Sequence, residues 1–372
     1  MLSGCPNRIN MIRLGQINDT IMIKLSQKQQ QVLLIILKGD IMSSSDVHAE
    51  MSQSGGEISL ITIKRALSQM VKLGLLVVSG SGPATHYRIS VSGRVLAPID
   101  AHQYCLVEPD KRRGLKLYYF NLWPDFPVDI FIDKELEQLD KATAEYKQRT
   151  ENLPPAIQNK ELERLIIELS WKSSKIEGNT YTLLDTEKLI LENKEAPGHN
   201  KQEARMILNH KDAFSFIREN AARFATLTKK NLEELHAILV KDLSVGLGLR
   251  QKPVGVVGSI YQPLDNFYQI SEAVDDLSAV MTKMMSPYAK ALIALLGIGY
   301  IQPFEDGNKR TARLMANAIL LAHHCAPLSY RSVDEVEYRE VMLAFYELNS
   351  IIPFKKIFIG QYEFAAKNYA VK

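Results

Sequence analysis

The pattern of apolar and polar residues predicts three helices near the N-terminus. Residues 1–24 show little pattern and are expected to form a tail, whereas 31–37 form the apolar part of a first helix. Ser43–Ser45 offers N-cap chemistry for a second helix that ends near Met51. A third helix, capped by Ser59 and ended by Gly74, carries an apolar stripe of Leu60, Ile63, Leu67 and Met70.

Two short strands follow these helices. Residues 75–78 and 86–90 are strand-like and flank the turn-rich stretch 79–83. Three helices and a hairpin indicate a winged helix-turn-helix domain over residues 25–97. The exposed side of the third helix would present residue types suited to phosphates and base edges, namely Thr62, Lys64, Arg65 and Gln69. Such domains also serve in docking and dimerisation, so DNA binding and protein contact both stay open.

Helical periodicity dominates the rest of the chain, and the expected fold class is mainly α. Residues 98–132, with scattered Pro, Trp and Tyr, are expected to be a linker. A helical segment over 133–195 and a C-terminal domain over 196–372 follow, with one short β-hairpin near 253–265. The predicted helices are 134–151, 160–175, 183–193, 201–220, 229–241, 271–285, 287–301, 308–323 and 333–348.

Composition narrows the class of protein. The chain has 372 residues, of which 46% are hydrophobic and 23% charged, as in globular proteins of two or three domains. The net charge of +3 argues for no strong general attraction to nucleic acid or membrane, although residues 1–100 carry ten Lys or Arg against six Asp or Glu. Cys5, Cys105 and Cys325 have neither zinc-site nor disulfide-framework spacing. Without a signal peptide or a spanning apolar stretch, the expected location is the cytoplasm.

The segment 302–313 carries the strongest chemical pattern. A predicted helix ends near Ile301 and another begins near Asn308, with Gly307 allowing the backbone to approach a ligand. The free N–H groups and dipole of the second helix favour an anion, and Arg310 and Arg313 would leave one face of it. A carboxylate at Asp306 would suit Mg²⁺ beside phosphates. A triphosphate site is predicted; a solvated basic loop-helix corner is the alternative.

The same segment closely resembles the Fic motif, His-x-Phe-x-(Asp/Glu)-Gly-Asn-Gly-Arg-x-x-Arg. By that resemblance Phe304 anchors the loop, Asp306 holds Mg²⁺ and Arg313 grips the γ-phosphate of ATP. The resemblance implies transfer of AMP from ATP to a Ser, Thr or Tyr hydroxyl of a protein target or of the chain itself. The nucleotide-binding set would be Gly307, Asn308, Lys309, Arg310 and Arg313, with Asn308 and Arg310 also catalytic.

Two further stretches resemble parts of Fic proteins. Ser173 to Gly178, with Glu177 in fifth place, is similar to the inhibitory motif (Ser/Thr)-x-x-x-Glu-(Gly/Asn). The resemblance implies auto-inhibition, because a carboxylate paired bidentately with Arg313 would occupy the donors that the γ-phosphate needs. The stretch 249–263 is similar to the flap that holds a target segment by edge pairing, with Val254, Gly255, Val256, Val257, Gly258 and Tyr261 as its residues.

Two residues depart from the motif. Gln302 stands where the family has a His base, and an amide cannot take a proton, although positioning and charge stabilisation would leave residual activity. Lys309 replaces a Gly and resembles Doc-like members, which phosphorylate their targets. The leading hypothesis is a self-restrained adenylyltransferase. The alternatives are a DNA-binding regulator with a catalytically silent nucleotide sensor and a Doc-like kinase, and a homodimer stays open.

Overall fold

A computed structural model describes residues 25–39, 41–53, 58–151 and 153–371 of the chain. The expected tail at 1–24 lies outside these residues. Most of the described chain is helical, which confirms the predicted fold class.

Residues 25–97 form a small domain with its own apolar core. Its sheet has the order β1-β3-β2, and both pairings are antiparallel. Strand β1, which precedes the second helix directly, was not predicted, because three residues are too short to show alternation. The architecture is consistent with the expected winged helix. Its elements are α1 (Gln27–Gly39), β1 (Ile41–Ser43), α2 (Ser44–Gln53), α3 (Leu60–Lys72), β2 (Leu76–Ser79) and β3 (His86–Ile89).

Helix α3 is the best-specified element of this domain. The Ser59 side chain accepts a hydrogen bond from the Thr62 N–H and so caps the helix as predicted. Ile63, Leu67 and Met70 are fully buried against α1 and α2, and Leu60 is half-buried. The periodic stripe therefore packs inward and leaves the polar face of α3 to solvent.

The segment 98–132, expected as a linker, packs into the main core. Leu122 and Trp123 are completely buried, and Phe126, Ile130 and Phe131 join the same core. A short helix, α4 (Val91–Val95), precedes this segment, and another, α5 (Ala101–Cys105), lies within it. Its aromatic side chains have no helical spacing, so their burial depends on the domain that they cover.

The remaining chain is a helical assembly around α12, in which Ala291 to Ile301 are all buried. Helix α13 follows it through the motif loop and packs along it. Helix α15 was not predicted. The helices are α6 (Asp133–Glu151), α7 (Pro155–Ile176), α8 (Leu183–Glu192), α9 (Lys201–Glu219), α10 (Lys229–Leu239), α11 (Phe267–Lys283), α12 (Pro287–Ile301), α13 (Asn308–Ala322), α14 (Glu335–Leu348) and α15 (Ile352–Asn368).

The predicted hairpin at 253–265 is not present as a pair of strands. The segment makes a turn, with the Ser259 N–H donating to the Val256 carbonyl, and Gly258 has a φ of 77°. Its single bridge is parallel, from Gln262 to Leu117 in the former linker. Two prolines and two glycines interrupt the stretch, so a regular ladder cannot form. None of the described helices is long and apolar enough to cross a membrane.

Candidate nucleotide site

The motif loop begins at the left-handed C-cap residue Gln302, φ 50°, and ends where α13 starts at Asn308. The Asn308 side chain closes the loop on itself. Its Oδ1 accepts from the Phe304 N–H at 2.8 Å, and its Nδ2 donates to the Phe304 carbonyl at 2.8 Å. The Asn308 amide is thus committed to the loop, which leaves its backbone N–H for an incoming anion.

Gly307 lets the chain turn into α13. Its φ is 78°, and a Cβ there would lie 3.2 Å from Cγ1 of Val240. No side chain caps the helix at Gly307, so the first N–H groups of α13 have no partner within the helix. With the helix dipole they form a region that favours negative charge.

Phe304 and His236 form a stacked pair beneath the loop. Their ring centroids are 3.7 Å apart with an interplanar angle of 5°, and Phe304 is completely buried. His236, on α10, bonds through Nε2 to the Asp306 carbonyl at 2.9 Å. Burial lowers the pKa of His236 to about 4, so the ring is neutral and Nε2 is the donor. His236 supports the loop from below and cannot serve as its base.

Arg310 lies one turn inside α13 and is only 2% exposed. Its Nη2 donates to Asp306 Oδ2 at 3.0 Å, whereas its Nη1 is buried without a partner. Burial lowers the pKa of Arg310, although the group stays charged. A buried, unpaired guanidinium N–H beside a helix N-terminus suits a phosphate oxygen.

Arg313 is completely buried and has three partners. Nε donates to Ser173 Oγ and Nη2 to the Ser173 carbonyl, both at 2.8 Å. Nη1 lies 2.9 Å from Oε1 of Glu177, and the guanidinium is 5.7 Å from the centre of the Tyr338 ring. Burial opposes its charge, but Glu177 outweighs burial and raises the pKa of Arg313. The contact with Glu177 is through one nitrogen, not the bidentate pair expected from the sequence.

Glu177 is the C-cap of α7, followed by Gly178 at a φ of 94°. Its second oxygen, Oε2, lies 3.4 Å from Lys309 Nζ. Burial favours the protonated acid, but Arg313 and then Lys309 outweigh it and lower the pKa of Glu177. The carboxylate therefore stands ionised between two cations of α13.

Gln302 sits where the loop leaves α12 and is 7% exposed. Its Nε2 donates to the Gly299 carbonyl at 2.5 Å, which ties the amide back to its own helix. The buried His210 on α9 has no partner at either ring nitrogen, and burial lowers its pKa far below the usual value. Neither His210 nor His236 is thus a free base for the loop.

One cavity of about 250 Å³ brings most of the predicted groups together, but the completely buried Arg313 does not line it. Its walls come from Glu177, Gln302, the motif residues 305–310 and the flap residues 254–257. Val257 is 96% exposed at the flap tip, whereas Tyr261 is 1% exposed and donates to the Tyr300 carbonyl at 2.9 Å. Tyr261 therefore belongs to the core beneath the flap and is not displayed to a target.

Arg250 joins the flap to the motif loop, a role that the sequence did not indicate. Its side chain is buried, and its Nε donates to the Gln302 carbonyl at 2.6 Å. Its backbone N–H donates to the Pro303 carbonyl at 2.9 Å. Its two Nη groups donate to the carbonyls of Lys252 and Leu264, at the two ends of the flap. One buried side chain thereby fixes both segments. The available signal was a charged residue within the flap-like stretch 249–263.

Asp306 is the residue that could hold a divalent cation. Its carboxylate is 66% exposed, contacts Arg310 and lines the cavity. In the described ranges no three His, Cys, Asp or Glu side chains gather into a metal cluster. A single hard oxygen fits Mg²⁺ here, because a nucleotide would supply phosphate oxygens and water the remaining ligands.

The polar face of α3 lies on the separate N-terminal domain. Lys64, Arg65 and Gln69 are exposed, and Thr62 is half-buried. Gln69 Oε1 accepts from Gln29 Nε2 at 2.9 Å, and Thr62 Oγ1 is 2.9 Å from Ser59 Oγ, so two of the four residues already have partners.

Part of the chain is similar to known proteins. The family model described as Fic/DOC matches residues 226–320. A protein adenylyltransferase Fic of Nematostella vectensis is 27% identical over 176 residues, which cover 46% of this chain and 41% of the relative. A protein adenylyltransferase Fic of Culex quinquefasciatus is 29% identical over 221 residues, which cover 58% of this chain and 43% of the relative. The chain thus spans less than half the length of these relatives.

Solved structures agree on the fold. A Fic-domain signalling protein of Bacteroides thetaiotaomicron superposes with a TM-score of 0.52 at 21% identity, covering 62% of this chain and 94% of that one. A Fic family protein of Desulfovibrio desulfuricans superposes with a TM-score of 0.53 at 22% identity, covering 65% of this chain and 76% of that one. This chain therefore contains a Fic/DOC family domain, at residues 226–320.

Proposed function

We propose that the protein transfers AMP from Mg²⁺-bound ATP to a hydroxyl group of a protein, and that Glu177 holds this activity back. The observation that carries the proposal is the 2.9 Å pair between Glu177 and Arg313, beside the uncapped start of α13. The curated relatives are named protein adenylyltransferases, which supports the same reaction.

In the proposed complex the phosphates lie against the first turn of α13. Its free N–H groups and the unpaired Nη1 of Arg310 would donate to phosphate oxygens, and Asp306 would hold Mg²⁺. Bound there, Mg²⁺ would neutralise charge on the phosphate oxygens. The loop is already rigid, because His236 and Asn308 hold its backbone, so little ordering is needed on binding.

The reaction requires an in-line attack at the α-phosphorus. The target's hydroxyl oxygen forms the new P–O bond, the bond between the α-phosphorus and the bridging oxygen breaks, and pyrophosphate leaves. The hydroxyl proton passes to water, because the Gln302 amide cannot accept it. General-base help is worth about 10²–10⁴-fold, so a slow reaction is expected rather than none.

Restraint by Glu177 would act through charge and space. Its carboxylate lies 2.9 Å from one nitrogen of Arg313, so a γ-phosphate would have to displace it. It also lines a cavity of about 250 Å³, small beside the roughly 300–1,000 Å³ of most ligand sites.

Parallel incubation of the protein with α-³²P-ATP and γ-³²P-ATP tests the proposal, with Glu177→Gly beside the unchanged chain. Label transferred to protein from the α-position alone supports AMP transfer. Label from the γ-position alone would establish a Doc-like kinase, for which Lys309 is the supporting residue. No label from either, with ATP bound, would leave a nucleotide sensor.

The second candidate is a DNA-binding regulator whose Fic domain only senses nucleotide. Two observations favour it: Gln302 provides no base, and α3 exposes Lys64 and Arg65 without any acidic residue in the helix. Binding to duplex DNA at several salt concentrations would test it. Lys64→Ala with Arg65→Ala should weaken binding, whereas Lys283→Ala, an exposed cation on α11, should not. Absence of binding at every salt concentration would exclude DNA as the partner, and salt-insensitive binding would exclude phosphate contacts by Lys64 and Arg65.

A further inference from the structure

Glu347, at the end of α14, is a buried carboxylate outside the nucleotide cavity. Its side chain is completely buried and accepts hydrogen bonds from Tyr104 Oη and Ser259 Oγ, both at 2.7 Å. The Ile260 N–H donates to it at 3.3 Å, and Arg112 Nη1 is also 3.3 Å away. Three separate segments therefore meet at one carboxylate: the stretch after the N-terminal domain, the flap and α14.

Arg112 extends the same network along the flap. Its Nη1 also donates to the Gly258 carbonyl at 2.9 Å, and its side chain is only 5% exposed. Its other nitrogens donate to the carbonyls of Cys105 and Val107. A single guanidinium thus connects the turn of the flap to the end of α5.

The backbone repeats the connection. The Leu115 N–H donates to the Glu347 carbonyl at 2.6 Å, and the Gln262 N–H donates to the Lys116 carbonyl at 2.8 Å. Gly114 is needed between them, because a Cβ there would lie 2.7 Å from Tyr104 Oη and 2.8 Å from the Glu347 carbonyl. The returning limb of the flap therefore rests on residues 112–117.

On its other side this network reaches the core of the N-terminal domain. Tyr104 and Leu348 are buried in the same apolar cluster as Val32, Ile36 and Met70. Leu348 is the neighbour of Glu347 in the chain. Displacement of the N-terminal domain would therefore act on Glu347 from both α14 and α5.

We infer that Glu347 is a positioning residue through which the N-terminal domain sets the conformation of residues 254–262 of the flap. A partner that binds the N-terminal domain would then change the edge that the flap offers to a target. Only the description of 254–262 as a target-binding flap rests on the proposed function; the physical coupling does not.

Hydrogen–deuterium exchange of the full chain tests the coupling without any activity assay. Tyr104→Phe removes one donor to Glu347 on the side of the N-terminal domain, and Tyr104 makes no hydrogen bond to the flap. The amides of Ile260 and Gln262 should then exchange about three- to tenfold faster, as expected when the flap loses support worth one hydrogen bond of ordinary strength. Glu347→Gln should produce the same local change.

Tyr369→Phe is the matched control, because Tyr369 also donates to a buried carboxylate, that of Glu168. It should leave the exchange at Ile260 and Gln262 unchanged. Unchanged flap exchange in both Tyr104→Phe and Glu347→Gln would overturn the inference. So would an equal rise in α12 and α13, which indicates general destabilisation, or an equal rise with the control variant. Failure of ATP labelling alone would count against the proposed function only.

Discussion

Lys309 Nζ lies 3.4 Å from Oε2 of Glu177, so the cation that departs from the usual Fic motif contacts the carboxylate that also holds Arg313. Two cations of α13 share one anion. Because Lys309 is half-buried, its attraction for Glu177 is weaker than that of the buried Arg313.

Lys309→Gly should weaken the hold on Glu177. We expect ATP affinity to rise about two- to fivefold, the worth of a partly exposed ion pair, and to stay unchanged when Glu177 is already Gly. Calorimetry on the two single variants and the double variant measures the coupling. A loss of affinity in both backgrounds would mean that Lys309 binds phosphate instead.

Glu177→Gly should free Arg313 and raise both ATP affinity and self-modification. Glu177→Gln separates charge from volume: it keeps the side chain's shape, so a large rise with Gln would assign the restraint to charge. Calorimetry and α-³²P labelling of the chain are the measurements. Equal binding and labelling in all three proteins would make Glu177 a helix-end residue only.

Arg310→Ala should weaken ATP binding about ten- to hundredfold, because it removes a charged donor from a desolvated site. Arg223→Ala is the control, since Arg223 pairs with Glu234 and does not line the cavity. Calorimetry that gives one affinity for Arg310→Ala and the parent would refute the placement of the phosphates.

Gln302→His, in the Glu177→Gly background, should raise AMP transfer by up to about 10²–10⁴-fold, the worth of a general base. The rate of AMP transfer by the His variant should rise with pH as a histidine loses its proton. The rate of the parent with Gln302 should show no such rise. If the rate does not rise while ATP still binds, a residue other than Gln302 limits AMP transfer. Lys309→Gly in the same background is then the paired test.

Stability should fall as the pH drops from about 6.5 toward 4, because His236 is neutral in the folded protein and its pKa there is about 4. Below pH 6.5 the unfolded chain binds the proton that the folded one excludes, so the fold loses up to about 3 kcal/mol through this group. His236→Gln should reduce the fall of the denaturant midpoint between pH 6.5 and 4. His324→Gln, at an exposed position, should leave this fall unchanged. Parallel profiles for all three proteins would contradict the assignment.

Much of the fold could be predicted because its signals are local. The predicted bounds of α12, at Pro287 and Ile301, are those observed, and α13 begins at Asn308 as expected. The continuous apolar run of α12, the proline at its start and the glycine before α13 are signals that act within a few residues. Strand β1 and the packing of 98–132 were not predicted, because neither shows a local hydrophobic period. Both depend on contacts with distant parts of the chain: β1 pairs with β3, and 98–132 packs into the main core.

By itself the sequence determined the motif loop, the shared face of Arg310 and Arg313, and the stripe that buries α3. Only the tertiary structure decided what these side chains contact. Glu177 reaches Arg313 and Lys309 across 136 and 132 positions, His236 stacks on Phe304, and Tyr261 turns into the core. Helix periods and caps are set by neighbouring residues in the chain. Ion pairs and ring stacking between distant segments depend instead on how the helices pack, which no local pattern specifies.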